Sequence, residues 1–91
     1  MFLRQVNTMR KAEKILHHVI KVFIYPGETH YVAECVDLPV VTQGRTLDET
    51  VANLKEAISL HLEDEDLNEL GFTSNPGLLI SMELEPELHV A

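Results

Sequence analysis

Residues Tyr31–Glu63 read YVAECVDLPVVTQGRTLDETVANLKEAISLHLE: a strand, a tight turn, another strand and a capped amphipathic helix, with no spare residue between them. Tyr31 to Val36 carries the aromatic and branched side chains that suit a pleated surface. Asp37, Leu38 and Pro39 interrupt it, because proline donates nothing to a strand ladder and an aspartate can accept from nearby amides in a tight turn. Val40 to Gln43 resumes as a short strand at a sheet edge. Gly44-Arg45 leads into Thr46, and Thr46 with Glu49 three positions on predicts a capping box, each side chain satisfying an otherwise unpaired amide. Asp48 and Glu49 suit the positive end of the helix dipole. Leu47, Val51, Leu54, Ile58 and Leu62 then recur at spacings of 4, 3, 4 and 4. That is one helical face, with Ala57 beside it. Burying each branched side chain is worth about 1.5 to 3 kcal/mol in transfer terms, before entropy is charged.

Working outward, His18 to Tyr25 (HVIKVFIY) alternates Ile20, Val22 and Ile24 against Lys21, Phe23 and Tyr25, the period of a strand. Pro26-Gly27 predicts a type II turn with positive φ at the glycine, closing a hairpin. Downstream, the acidic run Glu63-Asp64-Glu65-Asp66 and Leu67 to Leu70 extend toward Gly71, expected to terminate the helix. Asn75-Pro76-Gly77 reads as a turn before a last strand, Leu78 to Leu84, which Pro86 ends. The fold class is α+β with order β-β-β-α-β. It is an antiparallel meander sheet covered on one face by a single helix. A right-handed return would lay the fourth strand parallel to the first, giving sheet order 3-2-1-4.

Ninety-one residues with 45% hydrophobic content make one small domain, near the size at which a single core is only just sufficient. Its one cysteine, Cys35, excludes an internal disulfide framework and fits a reducing cytoplasm. The apolar runs are too short to span a bilayer, and no secretory signal arrangement follows the basic start, so a cytoplasmic protein is expected.

Charge is uneven. Residues 1–21 hold five Lys or Arg against Glu13, a formal +4, while residues 22–91 hold two bases and fourteen acids, a formal −12, summing to −8. Such an acidic body repels phosphate backbones, so direct nucleic-acid binding by it is not expected; it suits a basic protein partner, or simply keeps a small protein soluble. The acidic run opposes the dipole of a helix C-terminus, which fits either a solvated face or a docking point for a basic partner.

Catalytic and metal chemistry find little support. His17 and His18 are adjacent on a strand and point to opposite faces, so both cannot chelate one metal. His30, His61 and His89 lack a partner at ligand spacing. Cys35 reads as a small apolar filler rather than a nucleophile. No glycine-rich phosphate loop occurs, and no cofactor is expected.

The series YVAEC, DLP, VTQG, TLDE and NLKEAI, with ELEP near the C-terminus, resembles the HicB-like antitoxin family, over roughly Lys21 to Val90. The resemblance implies a partial ribonuclease H-like fold used for binding, and an antitoxin that covers the catalytic surface of a small basic RNA-cleaving HicA-like toxin. Asp37, Leu38, Pro39, Gln43, Gly44, Thr46 and Glu49 form its signature and are expected to be mainly structural. Glu63, Asp64, Glu65 and Asp66 are the candidate toxin contacts. Ribonuclease H chemistry needs carboxylates converging on two metal ions, the first on strand one. Ile20 to Ile24 carries no acid, so despite Glu34, Glu56 and Glu83 no enzyme is expected. Many members of the family add a C-terminal DNA-binding domain; with the chain ending at Ala91, a short form without it is expected. Val36 and Val40 stand where a proline and a glycine are frequent around the DLP turn. The alternative to an antitoxin is an orphan regulatory or structural homo-oligomer. A homodimer or larger assembly is expected in either case, since small sheets have edges to pair.

Residues 1–16 form a basic extension to the domain at 17–91. Phe2, Val6, Met9, Ala12 and Leu16 fall at spacings of 4, 3, 3 and 4, a short basic amphipathic helix. A misassigned start with Met9 as the true one, a helix completing an oligomer, and a nucleic-acid or partner-binding arm all fit.

Overall fold

The computed structural model describes residues 15–86, and the readings of residues 1–14 and 87–91 lie outside it. Strands β1 (His17–Pro26), β2 (Tyr31–Cys35) and β3 (Val41–Gly44) precede helix α1 (Leu47–Leu62), and β4 (Phe72–Met82) closes the fold. The sheet order is β3-β2-β1-β4. β1, β2 and β3 are antiparallel neighbours, whereas β4 runs parallel to β1. The sheet is therefore mixed rather than antiparallel throughout, and the parallel fourth strand and the order 3-2-1-4 are those expected of a right-handed return. The helix returns the chain to the starting end of the sheet, so β4 can only run alongside β1 in the same direction.

Strand alternation decides what is inside. Ile20, Val22 and Ile24 of β1 and Ala33 of β2 point toward α1, which contributes Leu54 and Ile58 to the same core. Leu38, Val40 and Phe72 complete it. α1 approaches β3 and β2 most closely. Inward residues of β4 are less covered: Leu78 and Ile80 are half-buried and Met82 is 45% exposed, although they pair with the buried Ile20, Val22 and Ile24.

Three local expectations are corrected. Gly27 does not adopt positive φ; Gly71 (φ 93°) is the one glycine that does among the described residues. The link from β1 to β2 instead spreads its reversal over residues 27–30, with the Gly27 N–H donating to the His30 carbonyl at 2.7 Å. A Cβ on Gly27 would stand 2.9 Å from that oxygen, so glycine is needed for room rather than for handedness. Second, α1 ends at Leu62, not at Gly71, because Leu62–Glu65 forms a type II turn. Glu63 (φ −60°, ψ 131°) and Asp64 (φ 68°) occupy its centre, and the Glu65 N–H donates to the Leu62 carbonyl at 3.0 Å. Third, Asn75-Pro76-Gly77 lies inside β4. Between the pairs His17↔Phe72 and Val19↔Gly77 the chain advances five residues on β4 against two on β1. This bulge accommodates Pro76, which has no N–H to give the ladder.

Candidate functional site

Of the signature residues, Gln43, Gly44, Thr46 and Glu49 form a strand-to-helix junction. Gly44 pairs with Tyr31 at the end of β3 and abuts the first turn of α1; a Cβ there would lie 2.6 Å from both the backbone nitrogen and the hydroxyl of Thr50. Thr46 is the N-cap, extended at φ −124° and ψ 164°, and its hydroxyl accepts from the Glu49 N–H at 3.0 Å. The reciprocal half of the capping box is shifted by one residue. The Glu49 carboxylate accepts from the N–H of Arg45 at 2.6 Å, not from that of Thr46. Thr50, fully buried, donates its hydroxyl to the Thr46 carbonyl at 2.7 Å, and the Asn53 amide donates to the Gln43 carbonyl at 2.8 Å. Thr50 and Asn53 escaped the sequence reading, because a hydrophobic stripe marks neither a buried hydroxyl nor a helix-to-strand amide clamp.

The Asp37-Leu38-Pro39 turn works by plugging the core. Leu38 is buried, and the Val40 N–H donates to the Leu38 carbonyl at 2.8 Å, a three-residue turn whose centre, Pro39, has a φ already near the required value. The Cys35 N–H donates to Val40 and the Val36 N–H to Lys21. Asp37 is exposed, and among the described residues its side chain makes none of the expected bonds to the turn amides; backbone bonds hold the turn instead. Its charge still matters locally. Burial, and then the Asp37 carboxylate, push the Cys35 thiol upward, away from a reactive thiolate.

The four acids after α1 are exposed, but they are not equivalent. Glu63 caps the helix, with its N–H donating to the Leu60 carbonyl at 3.3 Å, and Asp64 occupies the left-handed position of the turn. Asp66 starts the next turn, one carboxylate oxygen accepting from the N–H groups of Asn68 at 3.0 Å and Glu69 at 3.4 Å. Glu63, Asp64 and Glu65 are exposed, and among the described residues their carboxylates make no hydrogen bond like those of Asp66.

A groove of about 530 Å³ runs beside this loop, between the C-terminal half of α1 and β4. Ile20, Ile58, Leu62, Leu67 and Leu78 line it, with Glu63 and Lys55 at its margin. Among the described residues no helix lies over the opposite sheet face. There Phe23 lies 5.8 Å from Tyr25, the Tyr25 hydroxyl donates to Glu34 at 2.7 Å, and Val41 and Leu79 are exposed. The bond to Glu34 raises the Tyr25 pKa, with smaller contributions from burial and from the Glu34 charge.

Among the described residues no three of His, Cys, Asp and Glu come together as a metal site, and Glu34, Glu56 and Glu83 do not converge. No described helix is long and apolar enough to cross a membrane. Comparison with protein-family models, with curated proteins and with solved structures found no match to this chain.

Proposed function

We propose that the protein is a non-catalytic antitoxin of a type II toxin-antitoxin pair, which binds and neutralises a small basic HicA-like ribonuclease in the cytoplasm. The observation that carries this reading is the surface charge. Residues 15–86 hold thirteen acids against Lys21, Arg45 and Lys55, and every acid but Glu34 is exposed. Such a surface steers a cationic partner and repels the RNA that the partner would cleave. The DLP turn and the Gly44-to-Glu49 junction are hydrogen-bonded as a turn and a helix start, in keeping with the resemblance to HicB-like antitoxins and their partial ribonuclease H-like fold. Neutralisation in this reading is steric: the acidic body occupies the toxin's RNA-binding surface.

The test is co-expression with a small basic protein, if the neighbouring gene encodes one, followed by RNA cleavage in vitro. Growth arrest and cleavage that both disappear on adding this chain support the antitoxin reading; cleavage that persists at stoichiometric excess rejects it. A second reading, an orphan homo-oligomer, is favoured by the exposed Phe23, Val41 and Leu79 on one sheet face and by β3 and β4 each pairing on one side among the described residues. It predicts a stable oligomer and no effect on RNA cleavage.

A further inference from the structure

We propose that two copies of this chain pair through the outer edges of their β4 strands, antiparallel and centred on Ile80, to make one continuous sheet. This names an interface for the assembly that either reading above admits, and it depends on neither. Among the described residues no strand pairs with the far side of β3 or of β4, but the two edges differ. β3 has four residues, and the Gln43 carbonyl on its outer side already accepts from the Asn53 amide. β4 has eleven residues and no ionisable side chain, whereas residues 15–86 hold thirteen acids against three bases. Such an edge lacks the charges that usually guard an exposed strand against pairing. Two bodies of like charge approach closely only where the charge is absent, and a cationic partner gains nothing from that strip.

Backbone and side chains agree on the register. The Glu83 N–H donates to the Ile24 carbonyl, so Leu79, Ser81 and Glu83 turn their backbone groups toward β1. By alternation Leu78, Ile80 and Met82 turn theirs outward. A two-fold axis at Ile80 sets Ile80 opposite its own copy and Leu78 opposite Met82, each pair exchanging both hydrogen bonds. On the face toward α1, Leu78 and Ile80 are half-buried and Met82 is 45% exposed, and the two copies would join these side chains in one apolar row. α1 lies over β3 and β2, which leaves the seam free of both helices. Pro76 and its bulge end the pairing on one side. Five strand residues span only about 16 Å, short for a standard interface of roughly 800 Å² per partner, so the association is weak and set by concentration.

The experiment is sedimentation equilibrium of the full chain over a concentration series, with amide hydrogen exchange read by nuclear magnetic resonance at both ends of it. A monomer-dimer equilibrium is expected, with the Leu78, Ile80 and Met82 amides exchanging about tenfold or more slowly in the dimer than in the dilute chain. In a mixture of labelled and unlabelled chains, the Leu79 Hα is expected to contact the Ser81 Hα of the other copy, as in a non-hydrogen-bonded pair. Met82→Pro deletes an outward N–H and leaves the bonds to β1 in place. It is expected to weaken association about tenfold or more, with little change in the melting temperature of the dilute chain. Added salt is expected to tighten the dimer, because it screens like charges. A chain that stays monomeric up to about 1 mM would overturn the proposal. So would a dimer whose edge amides exchange as freely as in the monomer, which would put the interface elsewhere. Protection of those amides in the monomer would overturn it as well, giving the edge to another part of the same chain.

Discussion

A methyl group added to Gly44 would stand 2.6 Å from both the amide nitrogen and the hydroxyl of Thr50, so the strand end and the first turn of the helix meet at a distance only glycine allows. Gly44→Ala is expected to cost about 1 to 3 kcal/mol, the range of overpacking in a close-fitted site. Adding Thr50→Ala relieves only the hydroxyl, since the backbone nitrogen and Cα of residue 50 remain, and is expected to rescue little. Thermal melts of the two variants check this; wild-type stability in Gly44→Ala would mean that the junction is not this tight.

Leu54 is fully buried at the middle of α1. Leu54→Ala is expected to cost about 2 to 5 kcal/mol, a large share of the stability of so small a domain. Leu54→Asp places an unpaired charge there and is expected to unfold or aggregate the protein. An unchanged melting temperature in Leu54→Asp would remove the helix from the sheet.

Asp64 holds φ at 68°, where a type II turn ordinarily wants glycine or asparagine. Asp64→Gly is expected to stabilise by about 0.5 to 1 kcal/mol, the backbone relief outweighing the added freedom of the unfolded chain. Asp64→Ala separates charge from conformation, since it removes the carboxylate without easing a positive φ: if it matches Asp64→Gly in urea denaturation, removal of the carboxylate rather than glycine's freedom accounts for the gain.

The Tyr25 hydroxyl donates to Glu34, which raises its pKa above the ordinary tyrosine value. A folded-state pKa above the unfolded one means that the folded chain holds the proton longer. The contribution to stability is thus full below the ordinary tyrosine pKa and is lost as pH rises through the raised one. Ultraviolet titration is expected to show one tyrosine ionising later than the other, and Tyr25→Phe to remove the late transition; a late transition that survives the substitution would assign it to Tyr31.

Glu63 and Glu65 are exposed in the acidic loop and hold no special backbone position like that of Asp64, while the Asp66 carboxylate is engaged in capping. Reversing Glu63 and Glu65 to lysine is expected to slow association with a basic partner about tenfold or more and to flatten its salt dependence. Stopped-flow association at two salt concentrations measures both. An unchanged rate would place the contact elsewhere on the acidic surface.

The sequence was most informative where one physical rule acted alone. Alternation along β1 identified Ile20, Val22 and Ile24 as core, and the spacing of Leu54 and Ile58 placed the helix on that face. Thr46 and Glu49 located the helix start, although the carboxylate reaches Arg45 rather than the cap residue. Legibility failed where backbone geometry competes with composition. Asn75-Pro76-Gly77 has the composition of a loop, yet a bulge keeps it within β4. Phe72, among the largest buried side chains, belongs to no periodic run, so only the tertiary fold reveals it. Of the candidate contacts, the run of four acids was plain, but its division into a capping Asp66, a left-handed Asp64 and two exposed glutamates depends on turn geometry that no residue pattern encodes.

The pairing of β4 with β1 also bears on the order of assembly. β1 meets β2 across a short link, with Pro26 opposite Tyr31, whereas His17 must find Phe72 and Ile24 must find Met82 across most of the chain. Closing that long loop has an entropic cost that no contact offsets until β4 arrives, so the hairpin and helix are expected to form first and the parallel strand to dock late. Substitutions along β4 are then expected to speed unfolding and leave the folding rate nearly untouched, while those at the Gly44–Thr50 junction slow folding itself. The domain would release its last strand first when it opens, uncovering the β1 edge before the helix lets go.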